Sequence, residues 1–239
     1  MILLHQIKKT PQAKPQNRYK QIQGIKHMIE RRMNDNLKYK AHPWHGVSKG
    51  EGFPEMLTTF IEIVPADTVK YEIDKASGWL KVDRAQLYSN IVPALYGFIP
   101  QTLCDVEVGN FCMKKTGRTH IIGDQDPMDI LVLEEKNIRS GGILVQAIPI
   151  GGFRMIDKNE ADDKIIAVMK DDAVYGKIKD INELNEKIIN RIKHYFLTYK
   201  DLPDSTKPKT VEIAAMYGRE EALEVIKWSS VDYQKRFIL

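Results

Sequence analysis

Seven consecutive residues, Gly123-Asp124-Gln125-Asp126-Pro127-Met128-Asp129, place three carboxylates around a proline directly ahead of an apolar run, Ile130-Leu131-Val132-Leu133. Carboxylates this close repel one another and stay ionised only where something cationic sits among them. Pro127 fixes its own φ and has no amide hydrogen, so it suits a bend and not the middle of a sheet. The run is expected to form an acidic loop at the mouth of a buried strand. Hard divalent cations take oxygen ligands of this kind and commonly share them with phosphates.

The rest of the chain alternates short strand patterns with turn residues. Leu57 to Val64 reads as a strand. Val69 to Asp74 alternates, so Lys70, Glu72 and Asp74 share one face and Val69, Tyr71 and Ile73 the other. Lys75-Ala76-Ser77-Gly78 offers a turn, and Trp79 to Arg84 runs back as its partner. Further strands are expected at Asp129–Glu134, Ile143–Pro149, Lys164–Met169 and Thr210–Tyr217. Asp180 with Glu183 makes a capping box ahead of a helix whose stripe is Leu184, Ile188, Ile192 and Phe196. A second helix runs from about Arg219 to Tyr233, burying Ala222, Val225, Ile226 and Tyr233. Short strands followed by helices predict a mainly β, α+β fold, a small closed barrel with helices outside it.

Charge is unevenly spread along the 239 residues. Residues 1–49 hold eleven Lys/Arg against two acids, while the remainder holds 25 Lys/Arg against 30 acids. The positive balance therefore belongs to an N-terminal arm and the body is acidic. An acidic body argues against nucleic-acid binding, which needs basic surface for phosphates. It fits a site that gathers divalent cations. Residues 1–40 are read as a basic extension, either disordered or a targeting segment, with a weakly patterned helix from Gln21 to Asn36. Residues 41–239 are read as a single catalytic domain. No apolar stretch approaches the ~20 residues of a membrane span. Two cysteines, Cys104 and Cys112, are too few for a disulfide framework and fit a reducing compartment.

A second acidic cluster, Asp157 to Lys164, also joins two expected strands. Alone it reads as a solvated loop. Combined with the first, and with Glu62 and Glu72 on nearby strands, it points to a multi-metal carboxylate site. Lys70, Arg84 and Lys164 at strand positions add cations, making the mixed-sign pocket that a polyphosphate requires. Three other motifs lead nowhere. Gly46-Val47-Ser48-Lys49-Gly50 matches G-x-S-x-G, but neighbouring prolines and glycine exclude the helix that this motif needs. Cys104, Cys112 and His120 match no zinc-site spacing. No phosphate-binding G-x-x-x-x-G-K-[ST] occurs. Two competing readings stay open: a non-catalytic barrel binding single-stranded nucleic acid, and a metal-dependent hydrolase of nucleotides or sugar phosphates.

The chain resembles the soluble family I inorganic pyrophosphatases over roughly residues 57 to 200 and, more loosely, to the C-terminus. The resemblance rests on Asp124, Asp126, Pro127 and Asp129 in the Asp-x-Asp-Pro-x-Asp loop. It extends, in order, to Ile61-Glu62-Ile63, Lys70 to Lys75, Val82-Asp83-Arg84, Leu95 to Pro100, Asp157 to Lys164 and His194 to Lys200. It implies a five-stranded oligonucleotide/oligosaccharide-binding (OB) type barrel with flanking helices, and hydrolysis of pyrophosphate with several Mg²⁺ ions, Mn²⁺ or Zn²⁺ being substitutes. It further implies Asp124, Asp129, Asp157 and Asp162 as metal ligands, with Asp129 bridging two ions, and Asp126 as the carboxylate that orients or deprotonates the attacking water. Glu62 and Glu72 are implied to act on the metals through water or through the residues that hold them. Lys70, Arg84, Tyr96, Lys164, Tyr199 and Lys200 are implied as substrate contacts. A cytoplasmic homo-oligomer, dimer or hexamer, is implied as well, with an organelle as the alternative location if the arm is a targeting segment. Gln125 and Val92 depart from the usual pattern, the latter standing where many members have tyrosine. His42-Pro43-Trp44-His45-Gly46 receives no chemistry from this reading.

Overall fold

The computed structural model describes residues 40–200 and 209–239, and those from His42 onwards belong to one compact unit. The helix and targeting expectations for the basic arm fall on residues 1–39 and lie outside the described residues. The first half comprises β1 (Leu57–Ile63), the hairpin of β2 (Val69–Ile73) and β3 (Leu80–Ala85), β4 (Leu95–Phe98), helix α1 (Val106–Thr116), β5 (Ile122–Gly123) and β6 (Asp129–Leu133). The second comprises β7 (Ile143–Asp157), β8 (Glu160–Ala161), β9 (Lys164–Met169), α2 (Glu186–Thr198), β10 (Val211–Gly218) and α3 (Arg219–Phe237).

Five strands close into a ring in the order β1-β4-β6-β9-β7 and back to β1. All neighbours in the ring are antiparallel except β6 and β9, which run parallel with Asp129 opposite Lys164. The ring has the strand number and mainly β, α+β character expected. β6 and β9 read as continuous apolar runs because both of their faces are covered. Ile130, Val132, Ile165 and Ala167 join a core with α1 and α3, including Phe111 and Val225. Leu131, Leu133, Ile166 and Val168 face α2, meeting Ile192 and Phe196. Each buried Val, Leu, Ile or Phe among these contributes about 1.5–3 kcal/mol, which outweighs helix and strand propensity.

Three expectations are corrected. β7 does not stop at Pro149 but continues to Asp157, because a register shift between Pro149 and Gly151 absorbs the proline and the strand then pairs with β10. Asp180 does not start α2. Its Oδ1 accepts from the Asn182 N–H at 3.0 Å, closing a single 3-10 turn at Ile181–Glu183. Its Oδ2 accepts from the Arg219 N–H at 2.8 Å, so it serves the start of α3. Asn185 caps α2, accepting from the Lys187 N–H at 2.9 Å. Finally, α1 fills the insert between Cys104 and Gly123, where no helix was expected.

Candidate active site

The acidic loop is fastened to the chain beside it by backbone bonds. The Cys104 N–H donates to the Asp126 carbonyl at 2.8 Å and the Gln125 N–H to the Cys104 carbonyl at 3.0 Å. Gly123 opens the loop where a Cβ would lie 2.2 Å from the Cys104 carbonyl oxygen, so only glycine fits. Gln125 takes φ 65° and donates through Nε2 to Asp105 Oδ1 at 2.7 Å. The Asp126 N–H donates to Asp124 Oδ1 at 3.0 Å, which turns both carboxylates to the same side. The second acidic cluster becomes the β7–β8 hairpin, with Asp157 opposite Glu160 and Lys158 at φ 59° in the turn.

All thirteen expected side chains line one cavity of about 240 Å³, a size for a small ion and not for a large organic ligand. At its centre, the Lys164 ammonium pairs with both Asp129 and Asp162. The Tyr96 hydroxyl donates to Asp129 Oδ2 at 2.6 Å. Lys200 pairs with Asp157 at 2.7 Å on one flank. On another, Lys70 pairs with Glu72 and with Asp83, each at 3.0 Å. Glu62 accepts from the Ile73 N–H at 2.7 Å, tying the β2–β3 hairpin to β1. Sequence reading missed Lys75 and Glu160, which also line the cavity. Lys75 pairs with Asp126; its signal was present, since it closes the Lys70 to Lys75 segment. Val92 is fully buried in the core facing α2 and is not among the cavity's lining residues.

Electrostatics in the cavity are dominated by excess negative charge, eight carboxylates against five cations. Burial pushes the Asp124 carboxyl well above its usual range, and the neighbouring Asp162 and Asp129 charges push the same way. Burial likewise raises Asp162, although Lys164 opposes it. Burial lifts Glu62 to about 8 against the pull of the Ile73 N–H. For Lys164, burial would depress the ammonium, but Asp129 and Asp162 more than offset it and hold it well above the usual lysine range. Carboxylates forced upward together are what a bound divalent cation relieves. Asp157 Oδ1 is buried with no hydrogen-bond partner, a donor atom available to a cation. Among the described residues no three His, Cys, Asp or Glu side chains already stand close enough to clasp one ion, and lysines hold several of the carboxylates instead. The donors are all oxygen, a set that fits hard cations. Cys104 and Cys112 are free and buried, and His120 is exposed.

A second cavity, about 380 Å³, lies between α1 and β10. Its cations already hold carboxylates: Lys115 with Glu221, Arg118 with Glu212, and Arg154 with Asp163. It offers no comparable excess charge for a substrate.

Comparison with known proteins bears on the family. A family model described as inorganic pyrophosphatase matches residues 59–234. An inorganic pyrophosphatase from Chlamydia trachomatis serovar L2 is 51% identical over 201 residues, spanning 83% of this chain and 96% of that protein. A soluble inorganic pyrophosphatase from Oryza sativa is 40% identical over 190 residues, 79% of this chain and 78% of its own. Among solved structures, inorganic pyrophosphatase from Thermus thermophilus superposes with a TM-score of 0.67 at 29% identity, covering 81% of this chain and 99% of its own. With the acidic loop, the five-strand ring and this match along most of both sequences, the chain belongs to the inorganic pyrophosphatase family.

Proposed function

We propose that the protein hydrolyses inorganic pyrophosphate to two phosphates with several Mg²⁺ ions in this cavity, by in-line attack of water and without a covalent intermediate. One observation carries the reading: carboxylates outnumber cations eight to five in a cavity of phosphate size. A densely negative substrate enters such a place only in the company of divalent cations. When bound, these ions would supply positive charge against the diphosphate and make a water more acidic. Asp124, Asp129, Asp157 and Asp162 would hold the ions, with Glu62 and Glu72 acting through water. Asp126 aligns the attacking water and takes its proton. Lys70, Arg84, Tyr96, Lys164, Tyr199 and Lys200 receive the phosphate oxygens. Positioning and charge carry most of the acceleration, since phosphoryl transfer needs little covalent help. The all-oxygen donor set favours Mg²⁺, then Mn²⁺, over Zn²⁺.

Phosphate release from pyrophosphate and from ATP, each with Mg²⁺ or with a chelator, tests this. Release is expected from pyrophosphate, lost on chelation and small from ATP. Release from ATP alone would favour a different phosphohydrolase, and no release from either would end the enzymatic reading. A homo-oligomer, dimer or hexamer, in the cytoplasm completes the proposal. Two free, buried cysteines support a reducing compartment, and no helix among the described residues is long and apolar enough to cross a membrane. Sedimentation velocity on the purified protein tests the assembly, a lone monomer being the adverse result.

A further inference from the structure

His42-Pro43-Trp44-His45-Gly46 packs between two walls, the β2–β3 hairpin turn and the Thr102 chain beside the acidic loop. On one wall is the turn of the β2–β3 hairpin, where Gly78 takes φ +72°. A Cβ at Gly78 would meet Pro43 Cδ at 2.7 Å and the His42 ring at 2.8 Å, so the two surfaces fit only because residue 78 is glycine. His42 Nδ1 accepts from the Trp44 N–H at 3.2 Å and the His45 N–H at 3.3 Å. These two donors leave the ring proton on Nε2, which donates to the Lys75 carbonyl at 3.2 Å. On the other wall, Trp44 is buried, and its indole N–H donates to the Thr102 carbonyl at 2.7 Å. Thr102 Oγ1 accepts from the Met128 N–H at 3.0 Å, one residue before Asp129. His45 Nδ1 meets the Tyr233 hydroxyl at 2.8 Å, anchoring the segment to α3.

The hairpin needs such an anchor. Among the described residues β2 and β3 pair only with each other, and a two-stranded ribbon alone is marginal. Glu62 holds Ile73 at the end of β2, just before the turn. Within the turn, Lys75 pairs with Asp126 and reaches the Gln125 carbonyl at 3.5 Å. Those two side chains are 47% and 49% exposed, and an exposed pair contributes under about 1 kcal/mol. The pair is too weak to hold the turn, so the turn has to hold the pair.

We propose that His42 and Lys75 are positioning residues: His42 fixes the hairpin turn against the Trp44 anchor, and Lys75, carried on that turn, orients the Asp126 carboxylate. The inference rests on the reading of Asp126 as the group that aligns the attacking water. The test measures Mg²⁺-dependent pyrophosphate hydrolysis for the full chain and for His42→Ala, His42→Gln, Lys75→Ala and the His42→Ala/Lys75→Ala pair. His42→Ala and Lys75→Ala are each expected to lower kcat about tenfold with little change in KM. His42→Gln places an amide N–H where Nε2–H stood and restores most of the loss. The double variant falls no more than about twofold below Lys75→Ala, because both act through one contact. Gly78→Ala, which drives the same surfaces apart, is expected to lose a similar factor and serves if His42→Ala fails to fold. Amide hydrogen exchange at Asp74 and Gly78, both bonded within the turn, should quicken in His42→Ala and recover in His42→Gln. Unchanged kcat in Lys75→Ala, additive losses in the double variant, or slow turnover with unchanged exchange would each overturn the proposal. Should the unaltered chain release no phosphate, the proposed function fails on its own, and exchange alone decides whether His42 holds the turn.

Discussion

Tyr96 and Asp129 meet at 2.6 Å, the phenol donating to Oδ2 from the strand beside the one that Asp129 opens. Lys164 reaches the same oxygen from the strand on the other side. Two donors on one oxygen fix the carboxylate's rotation. Asp129→Asn is expected to cut turnover at least ~10²-fold while leaving the thermal midpoint within a few degrees. Tyr96→Phe keeps the ring and loses only the donor, so a fall of about tenfold in kcat is expected. Steady-state phosphate release together with a melting curve checks both; near-normal release by Asp129→Asn would remove that residue from the mechanism.

Lys70 is held by Glu72 and Asp83 on the hairpin and faces the cavity. Burial would depress its ammonium, but the hydrogen bonds to Asp83 and Glu72 hold it above the usual range, so it stays charged at neutral pH. Lys70→Ala is expected to raise KM several-fold, about 1 kcal/mol or more, with a smaller change in kcat. Initial rates over a range of pyrophosphate concentrations decide the matter, and identical kinetics would exclude Lys70 from substrate binding.

Glu134 lies at the far end of β6 from Asp129. Burial raises its carboxyl to about 7, with the backbone bond to Leu95 opposing and the Asp172 charge adding to the rise. Its Oε2 is buried without a partner. The folded protein therefore binds a proton more tightly than the unfolded chain, whose carboxyl titrates near 4.5. Stability from this group is present below the unfolded value and is lost as pH rises from there through about 7. Glu134 is only half-buried, so solvent screening limits the effect to about 1 kcal/mol. Urea unfolding at several pH values should show a slope of this sign, and Glu134→Gln should lessen it, Glu62 supplying part of the rest. The same slope in Glu134→Gln would assign it to another group.

Arg154 and Asp163 are each 1% exposed and pair at 3.1 Å. The Tyr217 hydroxyl donates to the same Asp163 oxygen at 3.0 Å, and Glu221 takes the other guanidinium arm at 2.7 Å. Asp163→Ala leaves a buried guanidinium short of a partner, and a loss of about 3–5 kcal/mol is expected. Replacing the pair together, Arg154→Met with Asp163→Leu, should cost far less than either change alone. Unfolding free energies of the three variants test this; equal losses in all three would contradict it.

The ring strands and the acidic side of the cavity were readable because their signals are local, whereas Tyr96, Tyr199 and Lys200 rested on the family resemblance alone. Apolar runs buried on two faces, the Asp-Pro bend and the Lys70–Glu72 alternation all sit within a few residues. What escaped depended on partners far along the chain. The N-terminus of α1 is capped not by Asp105 but by Asp232, which accepts from the Asp105, Glu107 and Val108 N–H groups at 2.9–3.0 Å. Nothing near residue 105 announces that cap. Asp180 failed as a helix signal for the same reason, because its second oxygen belongs to Arg219. β7 outran the expected stop because β10 arrives to pair with residues beyond Gly151. Lys75 was visible in sequence but lacked a role until the turn brought it to Asp126.

The parallel match of β6 with β9 sets Asp129 level with Lys164 at the starts of two adjacent strands. Their spacing is thus a property of the sheet's own ladder. The segments leaving the opposite ends of those strands can change in length without altering that spacing, provided that Asp172 keeps its bond to Glu135 and Asp180 its bond to Arg219. For anyone grafting new loops onto this scaffold, that far rim is the place to cut.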